Sequence, residues 1–450
     1  MNKNVPNSLA WVERDAKVIA PCSHLSNFPL VVEKAKDDII YDVDGNEYID
    51  FLAAAGSLNL GSSSDLLTAA IQEQLTKYTQ YALPYTYNTP TIEYAEMLAK
   101  TFPGGGDIKV CFGNCGSDAN DAAVKFARAF TGRKKIITFI NGYHGNTYGS
   151  SSMTTVTTRM RAKMGPFLPE IYHFPFFAAN VDDATCEANC LKEMEEAFAT
   201  YLDPSDVAAV VIEPIQGDAG LIVAHPIFMQ KLYALCKKYG ILFIAEEVQQ
   251  GFWRSGKMFS IEHFDGIIPD GIVMGKSIGA SLTLGAFMAR AEIMDSLPAP
   301  AHLFTLGGNA LACAAGKASL AYMQTEEFQT RLKENEKIML ECLTGLKEKY
   351  PDVVGEIRGM GMSRGLNIDK VDPATGERKP DAIGTFKIIF RSYEKGLLMI
   401  SLSENTLRIQ PPLTIKPENL KKGFQIADEA INEYINGQIS DDVLSFKKGW

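Results

Sequence analysis

Ile241-Leu242-Phe243-Ile244-Ala245-Glu246 and Gly271-Ile272-Val273-Met274-Gly275-Lys276 decide how this chain reads. Each is a short, continuously apolar run, the pattern of a strand buried on both faces of a sheet. Each closes on an ionisable residue. In open α/β sheets, ligands bind beyond the carboxyl ends of the strands. A lysine placed there, between the small residues Gly275 and Ser277, loses its proton readily and can attack a carbonyl. A carboxylate close to it can keep a pyridine nitrogen protonated. The pair points to pyridoxal 5'-phosphate (PLP), whose ring draws electrons from an amino-acid α-carbon. Alone, Lys276 reads more plainly as a solvated edge residue, and Glu246-Glu247 as a solvated loop start. The case therefore depends on the other parts of such a site following in order.

Outward from these two runs, apolar β-type stretches alternate with helical patterns: Lys109 to Phe112, Lys135 to Phe139 and Ala208 to Ile212 come before them. That alternation predicts an α/β fold whose large domain is a mostly parallel sheet wrapped by helices. Ile39 to Phe51 reads as a hairpin turning at Asp44-Gly45-Asn46. After about residue 315 the pattern changes. A long helical stretch, Ala315 to Tyr350, leads to strand-like 355–358 and 363–368. A surface loop is expected at Lys370 to Lys379, with further strands at 397–400 and 406–409. A last helix opens at Pro417. The expected division is residues 1–60 joining a small domain, 61–315 forming the large one, and 316–450 completing a smaller α+β domain.

With 450 residues the chain has room for two or three domains. At 46% hydrophobic and 22% charged residues it has an ordinary globular composition, and its net charge of -10 argues against a nucleic-acid or anionic-membrane surface. The opening Met1-Asn2-Lys3-Asn4-Val5-Pro6 lacks the apolar stretch of a signal peptide. No run approaches the ~20 apolar residues that cross a bilayer, so a cytoplasmic location is expected. The eight cysteines are scattered without CxxC spacing or a histidine cluster, which predicts free thiols and no metal site.

Five further motifs, together with two residues that follow Glu246, fit the cofactor reading. Gly113-Asn114-Cys115-Gly116-Ser117-Asp118 follows a strand and opens a helix; Gly116 allows close backbone approach, and Ser117 caps the helix and can bind an anion. Tyr143, flanked by Gly142 and His144-Gly145, can stack on a flat ring. Glu213-Pro214-Ile215-Gln216-Gly217-Asp218 puts carboxylates and an amide in a loop after an apolar strand. Val248 can cover a ring face and Gln249 can donate to a phenolic oxygen, while Thr305, in Phe304-Thr305-Leu306-Gly307-Gly308-Asn309, can reach a phosphate. Arg408, shortly before Pro411-Pro412, can fork onto a carboxylate. Each has a plainer alternative: a capped helix, a Tyr-His turn, a polar turn, a helix entry or a strand arginine.

As an ordered set, from about Asp42 to the C-terminus, these motifs resemble the class III aminotransferase family of PLP enzymes. The resemblance implies a large PLP-binding domain, a small domain built from both termini, and a homodimer, possibly a tetramer, with active sites at the subunit interface. It implies that Lys276 is the lysine bonded to the cofactor, Glu246 the partner of the pyridine nitrogen, Val248 and Tyr143 the ring contacts, and Gln249 the contact to the ring oxygen. It implies that Gly116 and Ser117 hold the phosphate, joined by Thr305 of a second subunit, and that Arg408 takes the substrate α-carboxylate. Three positions depart from the family's usual pattern: Glu246 in place of Asp, Ala310 in place of Pro, and Gln216-Gly217-Asp218-Ala219-Gly220 in place of Gln-Gly-Glu-Gly-Gly.

Within the family, the chain is similar to the amino-acid racemases and epimerases. Gly116-Ser117-Asp118-Ala119-Asn120-Asp121, Met164-Gly165-Pro166-Phe167-Leu168-Pro169, Leu407-Arg408-Ile409-Gln410-Pro411-Pro412-Leu413 and the closing Gly449-Trp450 carry that similarity. It implies inversion of the α-carbon of a neutral, aliphatic amino acid. Racemisation benefits from a second acid on the opposite face of Cα from Lys276, and Asp218 is the candidate. The alternative is a class III aminotransferase that moves an amino group to a 2-oxo acid.

Overall fold

The computed structural model describes residues 3–447. The Gly449-Trp450 pair lies outside the described residues. Two compact units are present, one formed by Met1–Ser64 with Thr325–Trp450 and the other by Asp65–Gln324. The divisions fall at residues 64 and 324, against the 60 and 315 expected. Helix Ala310–Met323 belongs whole to the larger unit and carries its boundary past 315.

The larger unit is built on seven strands: β1 (Ile108–Gly113), β2 (Lys135–Phe139), β3 (Ile171–Phe174), β4 (Val207–Ile212), β5 (Leu242–Glu246), β6 (Gly271–Met274) and β7 (Gly285–Arg290). They lie in the order β1-β7-β6-β5-β4-β2-β3. β7 runs antiparallel to both neighbours, β6 and β1, and every other pair is parallel. Six strands thus end on one edge, where β7 begins. β4 and β5 are buried at every position, as their unbroken apolar runs require. β3 and β7 fall outside the runs that stand out in the sequence. β7, Gly-Ala-Phe-Met-Ala-Arg, contains no β-branched residue and so gives little strand signal.

Helix α1 (Gly116–Thr131) leaves the end of β1 and packs its apolar face on the sheet. Ala119, Ala122, Ala123, Phe126 and Ala127 join Val211, Ile244, Val273 and Phe287 in one buried cluster. The rings of Phe126 and Phe287 stack 5.9 Å apart. The small alanines let the helix sit close to the strands, which fixes where its first turn lies. Truncating Phe126 to alanine would cost about 3–5 kcal/mol. Among the described residues no helix is long and apolar enough to cross a membrane.

In the other unit, Ile39–Asp42 and Glu47–Asp50 form the expected hairpin. Asp42 ties its turn by accepting from the backbone of Asp44 and Asn46, at 3.0 and 2.7 Å, and from the Tyr48 hydroxyl at 2.7 Å. Leu397–Leu398 joins this sheet, pairing parallel with Glu47–Asp50, so the N-terminal segment is completed by C-terminal chain. A second sheet contains Val354–Met360, Ser363–Val371, Thr406–Ile409 and Ile400–Leu402. Arg378–Pro380 pairs with Ser363–Val371 where the sequence predicts only loop. The predicted continuous helix from Ala315 to Tyr350 is two helices, Ala310–Met323 and Glu326–Lys349. Thr325 breaks it: the residue is extended, and its side chain accepts from the Phe328 backbone as the N-cap of the second helix.

Candidate active site

The five loops at the carboxyl ends of β1, β2, β4, β5 and β6 hold all but two of the expected site residues, Thr305 and Arg408. Glu246 closes β5 level with Val273 of β6, and the Glu247 N–H donates to the Val273 carbonyl at 2.9 Å. Lys276 begins the short 3-10 turn Lys276–Gly279 with a left-handed φ of 49°. A residue other than glycine in that conformation costs roughly 1–2 kcal/mol, which the surrounding packing must offset.

That packing is tight. A Cβ on Gly275 would lie 2.9 Å from the Gly116 Cα and 2.9 Å from Val248 Cγ1, and one on Gly116 would lie 2.7 Å from Val248 Cγ1. The lysine turn, the opening turn of α1 and Val248 are therefore brought together with no room for another side chain. Below them, a Cβ on Gly285, the first residue of β7, would meet the Cys115 carbonyl oxygen at 2.0 Å.

One expectation needs correcting. Ser117 does not cap α1: Cys115 is the N-cap residue, without a side-chain hydrogen bond, and Ser117 stands inside the first turn. Its hydroxyl accepts the Asn146 N–H at 3.1 Å. Both Ser117 and the amide-rich opening of α1 remain at a helix end suited to an anion. Thr305 is exposed, and its carbonyl accepts from Gln80 Nε2 at 3.3 Å.

Behind the strand ends lies a cluster that the sequence did not predict as a unit. His144, Glu213 and Glu246 are all buried, with one ligand-type atom from each lying within 4.8 Å of the others. Glu246 Oε1 accepts the Val248 N–H at 2.7 Å, and Oε2 lies 3.4 Å from His144 Nδ1. Glu213 accepts the N–H of Tyr143 at 2.8 Å on one oxygen and that of Gly217 at 3.0 Å on the other. Burial, with the mutual repulsion of the two acids, pushes the Glu213 carboxyl above the ordinary carboxylate range. Burial also raises Glu246, against the opposing pull of the Val248 N–H and of Lys276. Burial lowers His144 and favours the neutral ring. Neither His144 nor Glu213 stood out beyond its motif, because their partners come from other strands.

Asp218 and Gln249 also meet. Gln249 Nε2 donates to Asp218 Oδ1 at 3.3 Å, and a Cβ on Gly217 would collide with the Gln249 amide. Burial, then the Asp218 charge, push the Tyr143 hydroxyl up to about 12; that hydroxyl accepts from Asn146 Nδ2 at 3.0 Å. Arg408 lies in the other unit, buried within Thr406–Ile409, with its Nε donating to Gln410. Gln410 in turn donates to the Ser363 hydroxyl at 2.6 Å.

The residues fit PLP. Gly116 and Gly275 keep open a close-packed cradle that a Cβ would fill, Lys276 stands at its edge, and Glu246 is a buried acid with a basic group opposite.

Comparison with known proteins agrees. Residues 22–431 match the family model "Aminotransferase class-III". The chain is 36% identical to isoleucine 2-epimerase of Lentilactobacillus buchneri, over 98% of each chain. It is 37% identical to leucine/methionine racemase of Thermococcus litoralis, over 98% of this chain and 99% of that one. Among solved structures, taurine:2-oxoglutarate aminotransferase from Bifidobacterium kashiwanohense, in complex with PLP and glutamate, superposes with a TM-score of 0.86 at 29% identity, covering 98% of this chain and 100% of the other. The chain belongs to the class III aminotransferase family, and its fold is that of the PLP-dependent aminotransferases.

Proposed function

We propose that this class III family member is a PLP-dependent amino-acid racemase or epimerase that inverts the α-carbon of a neutral, aliphatic amino acid. One observation carries the choice: an epimerase and a racemase of such amino acids align with it end to end at 36% and 37% identity. When bound, PLP supplies the electron sink that acidifies the substrate Cα–H. Lys276 would bond the cofactor, and its Nζ would take or return the Cα proton on one face. Asp218, directly or through one water, delivers a proton to the opposite face; for the other enantiomer the two exchange roles. The Asp218–Gln249 hydrogen bond supports this assignment, since it ties the acid to a residue assigned to the ring oxygen.

The remaining assignments are part of the same reading. Glu246 partners the pyridine nitrogen, Val248 and Tyr143 flank the ring, Gly116 and Ser117 hold the phosphate, and Arg408 takes the substrate carboxylate. The enzyme works as a homodimer, with Thr305 serving the phosphate of the other subunit. Thr305 is exposed between two exposed leucines, Leu303 and Leu306, an apolar surface that a second subunit would cover. Eight cysteines, all free, suit a cytoplasmic location.

The test is optical rotation of a single pure enantiomer of leucine, isoleucine or methionine incubated with enzyme and PLP, without any 2-oxo acid. Sustained loss of rotation, or drift to the epimer ratio for isoleucine, with no loss of amine is expected. No change until a 2-oxo acid is added would identify an aminotransferase instead.

A further inference from the structure

We propose that Gln250 is a positioning residue for inversion of the α-carbon. Its Nε2–H donates to Oε1 of Gln249 and turns that amide so that an N–H, not the carbonyl, meets Asp218. The proposal deepens the racemase reading above and rests on it.

Gln250, Gln249 and Asp218 are all buried. The two glutamines follow Glu246 in the loop after β5, and Asp218 stands in the chain that follows β4. Gln250 Nε2 donates to Gln249 Oε1 at 3.0 Å, and Gln249 Nε2 donates to Asp218 Oδ1 at 3.3 Å. A side-chain amide carries its donors on one end and its acceptor on the other, whereas a carboxylate only accepts. Were the Gln249 amide reversed, its oxygen would face Asp218 Oδ1 with no proton between them. Its nitrogen would then face Gln250 Nε2, a donor against a donor. The acid and Gln250 thus select the same orientation of the amide that joins them, and burial raises the cost of any other.

The two loops are held while the side chains are set. A Cβ on Gly217 would lie 2.3 Å from Gln249 Oε1 and 2.6 Å from its Cδ, so the amide rests directly on the backbone that precedes Asp218. That backbone is pinned: the Gly217 N–H donates to Glu213 at 3.0 Å, and the Gly217 carbonyl accepts the N–H groups of Gly220 and Leu221 at 3.2 and 3.1 Å. On the other side, the Gly251 N–H donates to the Glu247 carbonyl at 3.2 Å and closes the turn that carries both glutamines. With both backbones fixed, the direction of the Asp218 carboxylate depends on what its oxygens meet. Proton delivery to one face of Cα needs the acid held on line. Without the Gln250 donor the Gln249 amide can turn over, and its oxygen then repels the carboxylate from that line. Lys276 stands on a separate turn after β6, so the opposite face keeps its base.

The test follows the two faces separately. A single pure enantiomer of leucine is incubated with the PLP-loaded enzyme in deuterium oxide. Early deuterium at Cα is counted in the starting enantiomer, as retention, and in its mirror image, as inversion. Gln250→Met keeps the length and loses the donor; loss of one hydrogen bond predicts that inversion falls about fivefold relative to retention. A second readout needs no turnover: nitrogen-15 NMR of glutamine side-chain amides in the full-length protein, with the Gln249 signals identified by their loss in Gln249→Met. The Gln249 amide hydrogens should exchange with solvent faster in Gln250→Met. A wild-type ratio of inversion to retention in Gln250→Met, an equal fall of both, or unchanged exchange at Gln249 would each overturn the proposal. Should Gln250→Met not fold, Gln250→Ser, too short to reach Gln249 Oε1, takes its place in both measurements. Absence of inversion by the wild type would instead overturn the parent reading, an outcome visible before any variant is made.

Discussion

Glu246 and Glu247 are neighbours, both buried and both raised by burial above the ordinary carboxylate range, yet they face opposite ways from the end of β5 and meet different surroundings. Glu247 accepts from the Ser260 N–H at 2.8 Å, the Ser260 hydroxyl at 2.8 Å and the Ile261 N–H at 2.8 Å, which fasten a distant turn to the strand. Glu246 accepts one backbone N–H and faces one imidazole. Depth of burial does not separate the acid proposed to act from the acid that holds a turn. The kind of partner differs: backbone and serine donors surround Glu247, whereas Glu246, the acid proposed to meet the cofactor, has one backbone N–H and the titratable His144 beside it.

The contrast can be broken by experiment, and Asp218 gives the largest expected effect because it lies on the Glu246 side. Asp218→Asn should lower racemisation about 10²- to 10⁴-fold. Solvent deuterium should still enter Cα with retention through Lys276; full racemisation in both directions would remove Asp218 from the mechanism. Glu246→Gln should come next, losing on the order of 10²- to 10³-fold in kcat as the pyridine nitrogen loses its anion, with thermal stability of the apoprotein little changed. Glu247→Gln should do the reverse. Its amide N–H2 would face the donors of Ser260 and Ile261, at a cost of about 2 kcal/mol of unfolding free energy, while the folded fraction keeps its cofactor spectrum. If Glu247→Gln disturbed the spectrum more than Glu246→Gln, the division of labour would be wrong.

The smallest effect is in pH dependence. Burial pushes Glu247 from 4.5 up to about 8, so folding takes up a proton in between. The stability this group contributes is complete below its unfolded value and is lost as pH rises through about 8. Apoprotein stability measured by denaturant should therefore decline between pH 5 and pH 8, with a shallower slope in Glu247→Gln.

Much of this site is legible because Glu246 and Lys276 each close an apolar run, and strand ends gather ligands whatever the order of the strands. The hairpin at 39–50 is legible from its Asp44-Gly45-Asn46 turn. Other features are not local. The direction of β7 depends on its neighbours, and its sequence lacks β-branched residues. The break at Thr325 hides because the apolar periodicity continues across it into the next helix. Ser117 looks like a cap, yet the helix starts one residue before it. His144 sits beside the predicted Tyr143, but only the parallel pairing of β2, β4 and β5 brings it to Glu246 and Glu213.

The contact beneath the opening turn of α1 has a consequence for how this sequence can vary. Gly285 has no chemistry of its own, yet a side chain there would strike the Cys115 carbonyl oxygen and lift the opening turn of α1, the turn proposed to hold the phosphate, off its seat. A saturation library at position 285, selected for function, would return glycine almost alone. The mutational tolerance of a residue on the reversed strand of this sheet would then match that expected of Lys276, the lysine proposed to bond the cofactor, and a map of permitted substitutions would outline the site without reporting on chemistry at all.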